Sequence, residues 1–99
     1  MKLAEVIGTV VGRRITEWIA DLEPVFLLVQ EVDRAGDRVG NPLVALDPLG
    51  ARRGEIVLVS EGSSCRQTDA TKDRPVDAII AGIVDLVEHE GEITYRKDA

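Results

Sequence analysis

Apolar and polar positions alternate in short runs along the chain, and turn-forming residues separate the runs. β-branched side chains dominate most runs, while Gly, Pro, Asp and Asn cluster between them, which is typical of strands joined by turns. The pattern predicts strands at residues 3–11, 25–32, 42–46, 55–60, 77–87 and 92–96. Strands at this short spacing favour an all-β, mainly antiparallel sandwich or small barrel.

The run at 77–87 fits two periods, because its Ile and Val residues also match the stripe of an amphipathic helix. We favour a strand, since β-branched residues dominate the run and Gly82 lies in its middle. Asp77 and Asp85 flank the apolar residues of this run. A regular strand would hold the two carboxylates more than about 20 Å apart, which is too far for a two-carboxylate mechanism. We therefore expect them to cap strand ends or to pair with an arginine.

Local signals add turns, a bulge and one helix. Gly8 and Gly12 interrupt the first run and predict a bulge or bend. Composition predicts turns at 33–37 and 89–91, a glycine-flanked loop at 49–54, and a hairpin tip or irregular segment at 16–24. The one helical candidate is 63–68, with Ser63 or Ser64 as its N-cap. A five-stranded barrel with one short helix before its late strands is OB-like.

Length and composition indicate a single small globular domain over residues 1–99, with 44% apolar and 30% charged residues. The net charge of −6 argues against a nucleic-acid partner, which needs a basic surface. Arg13 with Arg14, and Arg52 with Arg53, are interpreted as solvated loop or interface charges. A chain this short buries a limited share of its surface, so oligomerisation offers further stability.

Cysteine content and hydropathy favour a cytoplasmic protein. Cys65 is the single cysteine, so no intrachain disulfide is expected. The apolar stretch at the N-terminus is too short and interrupted for a signal sequence, and no run approaches a membrane span. Trp18 forms, with Ile19, a small apolar point in a polar segment, where it either marks a contact surface or covers an end of the barrel.

The segment from Gly62 to Arg66 combines a glycine, two serines, a cysteine and an arginine, so it is a candidate catalytic or phosphate-binding loop. A nucleophile here lacks a base, because His89 is the single histidine and falls in a predicted turn. The segment also lacks the spacing of a phosphate loop. One His and one Cys give no metal-ligand cluster. We favour a structural joint: a glycine turn followed by a short capped helix.

Three stretches, in this order, resemble the EutN/CcmL family of pentameric vertex proteins of bacterial microcompartment shells. They are MKLAEVIGTVVG at the start, VALDPLGARRGEIVLVSEGSSCRQ in the middle, and PVDAIIAGIVDLV near the end. The resemblance covers nearly the whole chain. Two features depart from the family: Cys65 stands where alanine is frequent, and Arg52 and Arg53 enlarge a loop that is often small.

The resemblance implies an OB-like barrel that assembles into a cyclic pentamer, without catalytic residues or cofactors. It implies a cytoplasmic shell in which this ring caps the vertices beside hexameric and trimeric shell proteins. It also implies a set of residues at subunit contacts or near the ring axis: Gly50, Ala51, Gly54, Glu55, Gly62, Ser63, Ser64, Arg66, Pro75 and Asp77.

Two other classes of function remain open at this point. An OB-type module for single-stranded nucleic acid or another ligand needs basic residues interleaved with stacking aromatics, and this chain has few of both. A small enzyme with its site between subunits rests on Cys65 alone.

Overall fold

Five strands close into a barrel and two more form a separate hairpin. The computed structural model describes residues 1–11, 25–62 and 78–97. The strands are β1 (Lys2–Val10), β2 (Phe26–Glu31), β3 (Leu43–Leu46), β4 (Ile56–Glu61), β5 (Ala78–Ile83), β6 (Leu86–His89) and β7 (Glu92–Arg96). The barrel order is β1-β2-β3-β5-β4, and β6 pairs with β7 alone.

This strand order confirms the predicted OB-like barrel. The pairs are antiparallel except for β3 with β5, which are parallel, and β4 returns to β1 to close the sheet. The predicted helix at 63–68 and the predicted hairpin tip at 16–24 lie outside the described residues, as do Trp18 and Cys65. No helix in the described ranges has the length and apolar character needed to cross a membrane.

The barrel interior is filled by alternate, mostly small or β-branched side chains from all five strands. Inward positions recur every second residue because successive side chains of a strand point to opposite faces. The core consists of Ala4, Val6, Leu27, Val29, Ala45, Val57, Val59, Ala78 and Ile80. Full burial of a Val or Ile side chain contributes about 1.5–3 kcal/mol, so this interior is the main source of stability.

The predicted irregularity in the first strand is confirmed as a bulge next to Gly8. The register between β1 and β2 shifts between Val6 and Gly8. On the other side of β1, the Val6 N–H donates to the Glu55 carbonyl (2.9 Å), and the Gly54 N–H donates to the Val6 carbonyl (2.8 Å). The loop before β4 is thereby fixed against β1 at the bulge.

The prediction of one strand at 77–87 is wrong, although the choice of strand over helix is right. β5 ends at Ile83 and β6 begins at Leu86, in a different sheet. At the break, the Val84 N–H donates to the Ile56 carbonyl (2.9 Å), and the Asp85 carbonyl accepts the Lys97 N–H (2.8 Å). Asp85 therefore lies between two strands, and Asp77 lies outside the described residues.

The β6–β7 hairpin confirms the predicted turn at 89–91. Glu90 and Gly91 both have positive φ, 53° and 82°. Positive φ at both central residues is the requirement of a two-residue type I′ turn, whose twist matches that of the flanking strands. The Glu88 Oε1 accepts the Gly91 N–H (2.6 Å) and closes the turn.

The β3–β4 loop, residues 47–55, is organised by the buried carboxylate of Asp47. Its Oδ1 accepts the Leu49 N–H (2.8 Å) and the Gly50 N–H (3.2 Å), and its Oδ2 accepts the Ala51 N–H (2.8 Å). The aspartate side chain thus replaces the ladder partners that these backbone groups lack outside a strand. Gly50 and Gly54 hold φ of 80° and 89°, a region that side chains with a Cβ rarely adopt.

We predict that Asp47→Ala lowers the free energy of unfolding by about 2–3 kcal/mol, because three backbone donors lose a charged acceptor. Urea unfolding at one fixed protein concentration measures the loss. Asp37→Ala is the matched control, since Asp37 is exposed and its side chain accepts no hydrogen bond within the described ranges; it should change stability by less than about 0.5 kcal/mol. Similar losses for both variants would contradict the role of Asp47.

Candidate functional site

The predicted site residues fall into two groups, of which the structure describes one. Gly50, Ala51, Gly54 and Glu55 lie in the β3–β4 loop, and Gly62 follows directly after β4. The others lie outside the described residues: Ser63, Ser64, Arg66, Pro75 and Asp77. Contacts of the two groups with a second subunit stay a prediction.

The β3–β4 loop faces the base of the β6–β7 hairpin across an open cleft of about 700 Å³. The loop is held by Asp47 on one side and by the pairing of Gly54 with Val6 on the other. The hairpin base is held by the Val84 and Lys97 backbone bonds described above. The lining residues are Gly50, Arg52, Arg53, Gly54, Glu55, Ile83, Tyr95, Arg96 and Lys97.

Glu55 joins the two walls of this cleft. Its carboxylate accepts the Lys97 Nζ–H at 2.9 Å and the Arg52 backbone N–H. The pKa of Glu55 is lowered below the ordinary 4.5. The hydrogen bond from Lys97 is the main cause and the hydrogen bond from the Arg52 backbone is the second, while partial burial acts in the opposite direction. The side chain is 13% exposed and that of Lys97 is 34% exposed, so the pair is partly shielded from water.

The cleft groups several arginines that form no ion pair, whereas Arg34 is the one other described lysine or arginine that lacks one. Lys2 pairs with Glu31 and Glu61, and Arg38 pairs with Glu5. In the cleft, the Arg52 guanidinium interacts electrostatically with Glu55 without forming an ion pair, and Arg53 and Arg96 have no acidic partner among the described residues. The wall is therefore locally basic on a chain whose net charge is −6.

Tyr95 adds a neutral donor to this wall. Its hydroxyl oxygen accepts the Ile56 N–H at 3.4 Å. The hydroxyl proton has no acceptor within the described ranges and is available to the cleft.

Sequence reasoning found the loop half of this cleft and missed the hairpin half. Tyr95 and Arg96 belong to the predicted terminal strand at 92–96, and nothing in its spacing shows that this strand leaves the barrel; Lys97 lies just beyond it. Asp47 directly follows the predicted strand at 42–46, and its position before Pro48 in a turn-forming stretch is the signal that could have identified its role. Within the described ranges, no three His, Cys, Asp or Glu side chains group as metal ligands.

The pKa of Glu55 gives a pH-dependent prediction. Ionised Glu55 stabilises the fold above the unfolded value of about 4.5, and this contribution disappears as pH falls through the lowered folded value. We therefore predict that Glu55→Gln is less stable than the wild type at pH 7, and that the difference shrinks as pH falls below about 4.5. Chemical denaturation at a series of pH values from 7 to 3.5 measures both.

Glu92→Gln is the control for this experiment, because the exposed Glu92 side chain has no partner within the described ranges. It should leave the free energy of unfolding at pH 7 within about 0.5 kcal/mol of the wild type. A Glu55→Gln difference that is constant from pH 7 to 3.5 would refute the linkage between Glu55 and Lys97.

Comparison with known proteins gives a consistent match over the chain. The family model described as "Ethanolamine utilisation protein EutN/carboxysome" matches residues 1–85, which include the barrel and end where the β6–β7 hairpin begins.

Individual relatives match nearly end to end. The bacterial microcompartment shell vertex protein EutN of Escherichia coli K12 is 38% identical over 98% of this chain and 100% of its own length. The carboxysome shell vertex protein CcmL of Gloeobacter violaceus is 38% identical over 98% of this chain and 95% of its own.

Solved structures agree in shape as well as in sequence. A structure of Gloeobacter violaceus CcmL superposes with a TM-score of 0.90 at 37% identity, covering all of both chains. The pentameric microcompartment shell protein GrpN of Rhodospirillum rubrum superposes with a TM-score of 0.79 at 39% identity, over 90% of this chain and 99% of its own. Together with the family model, these matches show that the chain belongs to the EutN/CcmL family.

Proposed function

We propose that this chain is a structural protein of a bacterial microcompartment shell, and that it forms pentamers that cap the vertices of the shell. One observation carries the proposal: the chain matches proteins named shell vertex proteins over 98% of its length. The proposed place of action is the shell, within the cytoplasm.

The geometry of a closed shell supplies the physical reason for such a protein. A layer of hexagonal units lies flat, and it closes into a polyhedron when five-fold units replace hexagons at the corners. A ring of five identical chains repeats one head-to-tail interface until it closes. Such a subunit needs two complementary surfaces and no catalytic group.

The described fold suits this role. Buried side chains of the five described strands fill the barrel interior, as in other small barrels whose interior is a packed core. Closure of the barrel satisfies the backbone of the strands internally, which leaves loops and the hairpin as the surfaces for assembly. Several apolar side chains are half exposed on the isolated chain, among them Val25, Val44, Leu49 and Ile93.

We further propose that the glycine-rich loop and the block after β4 form subunit contacts or lie near the ring axis. The resemblance of these residues to the family supports this, and so does the rigid, exposed loop that Asp47 organises. The residues are Gly50, Ala51, Gly54, Glu55, Gly62, Ser63, Ser64, Arg66, Pro75 and Asp77. Hexameric and trimeric shell proteins are the proposed neighbours of the ring.

The barrel order alone would also suit a module for single-stranded nucleic acid. Such a module stacks bases on aromatics within a basic face. Phe26 packs instead against Leu46 and Ile79, and Tyr95 lies on the hairpin, so these two aromatics do not share a face of the barrel. Nothing in the described residues favours this second function.

Native mass spectrometry of the purified chain tests the ring directly. Five copies of a 10.8 kDa chain have a mass of about 54 kDa. We expect this species at low micromolar concentration. A monomer or dimer throughout the micromolar range would contradict the proposal.

Arg66→Ala should weaken the pentamer, because an arginine at a subunit contact can bind carbonyls or a carboxylate of the next chain. We expect smaller species at low micromolar protein, where the wild type remains assembled. Arg34→Ala is the control, since the exposed Arg34 side chain makes no ion pair within the described ranges. An unchanged assembly mass for Arg66→Ala would refute this contact.

A further inference from the structure

The cleft between the β3–β4 loop and the hairpin base concentrates positive charge in a concave space. Arg52, Arg53, Arg96 and Lys97 line it, with Glu55 as the one carboxylate among the described lining residues. Lys97 and the Arg52 backbone N–H already bind that carboxylate. The Arg52 guanidinium also interacts electrostatically with Glu55, while Arg53 and Arg96 form no ion pair with the described part of the chain.

We propose that this cleft binds a small oxyanion carrying two negative charges, of which inorganic phosphate is the simplest example. Guanidinium groups present paired N–H donors that match the oxygens of phosphate or carboxylate groups. The Tyr95 hydroxyl, whose oxygen is used by the Ile56 N–H, supplies a neutral donor on the same wall. Ile83 and the ring of Tyr95 exclude part of the solvent and thereby focus the field of the cations.

A small anion fits this site better than an extended one. The cations come from one short loop and from two successive residues of one strand end, so the positive surface spans a single cleft. An extended polyanion needs a stripe of cations. Outside the cleft, the described part of the chain offers Lys2 and Arg38, which are paired with acids, and the single unpaired Arg34. All the described lining residues belong to one chain, so the inference goes beyond the proposed ring. It requires that the cleft stay open to solvent in the ring, and the assembly experiment below checks this.

Titration of the wild-type protein with inorganic phosphate tests the site, with chloride keeping the ionic strength constant. The arginine Nε–Hε resonances and the backbone resonances of the loop report binding by NMR. We expect saturable shifts with a Kd of about 1 mM or lower, confined to the two walls of the cleft. Shifts that rise linearly with phosphate, or an absence of shifts, would overturn the proposal.

Paired variants separate a specific site from general attraction. Arg53→Gln with Arg96→Gln should raise the Kd for phosphate about tenfold or more, because each removes a charged donor. Arg34→Gln with Arg38→Gln removes the same charge elsewhere and should change the Kd less than about twofold. Equal losses in both pairs would show diffuse attraction and overturn the site.

The same variants distinguish an anion site from a contact between copies. Circular dichroism verifies that each variant is folded, and these exposed arginines are tolerant positions. Native mass spectrometry should show the same assembly for the wild type and for Arg53→Gln with Arg96→Gln. Loss of assembly in that variant would assign the cations to a neighbouring chain and refute the anion site. The native mass spectrum of the wild type alone tests whether the protein is a pentamer. The phosphate titration tests the anion site separately.

Discussion

Closure of the barrel by the pairing of β4 with β1 is the constraint on which the rest of the structure depends. It removes the open edges of the five strands and encloses a core that small and β-branched side chains fill. The same pairing continues through Gly54 and Glu55 beside Val6, and so it fixes the base of the β3–β4 loop. Every feature of the candidate site is positioned relative to that fixed point.

The carboxylates of Asp47 and Glu55 stabilise the β3–β4 loop in different ways. Asp47 is buried and satisfies backbone donors within the loop, so it determines the loop's shape. Glu55 is partly exposed and binds a lysine of the hairpin, so it connects the loop to another element. Lys97 shares this task with Glu55, whereas Arg53 and Arg96 form no ion pair within the described residues. A loop held by these hydrogen bonds presents its arginines as a preorganised surface, whether the partner is an anion or a shell protein.

The sequence predicted the barrel well because its signals are local. Alternation located the strands, Gly8 indicated the bulge, and the Glu90 and Gly91 pair indicated the hairpin turn. The division of 77–87 into β5 and β6 could not be read, since no glycine or proline marks Val84 and Asp85; the break is set by backbone bonds to the distant Ile56 and Lys97. The loop wall of the cleft was predicted and the hairpin wall was not, because the hairpin is positioned by contacts between distant residues. The contact between Glu55 and Lys97 joins two ordinary charged residues far apart in sequence, and such a contact has no local signature.

The barrel closure also has a kinetic consequence. Lys2 pairs with Val59, and the single parallel contact joins Leu46 to Ile79, so the chain must bring distant segments together before the sheet is complete. Topologies rich in such non-local pairs fold slowly. The proposed contacts Gly50, Ala51, Gly54 and Glu55 lie in the β3–β4 loop, which the closed barrel positions, so a head-to-tail ring would recruit a subunit after that chain has folded. At high protein concentration, the rate of ring formation would then be limited by folding of the single chain and would stop increasing with concentration.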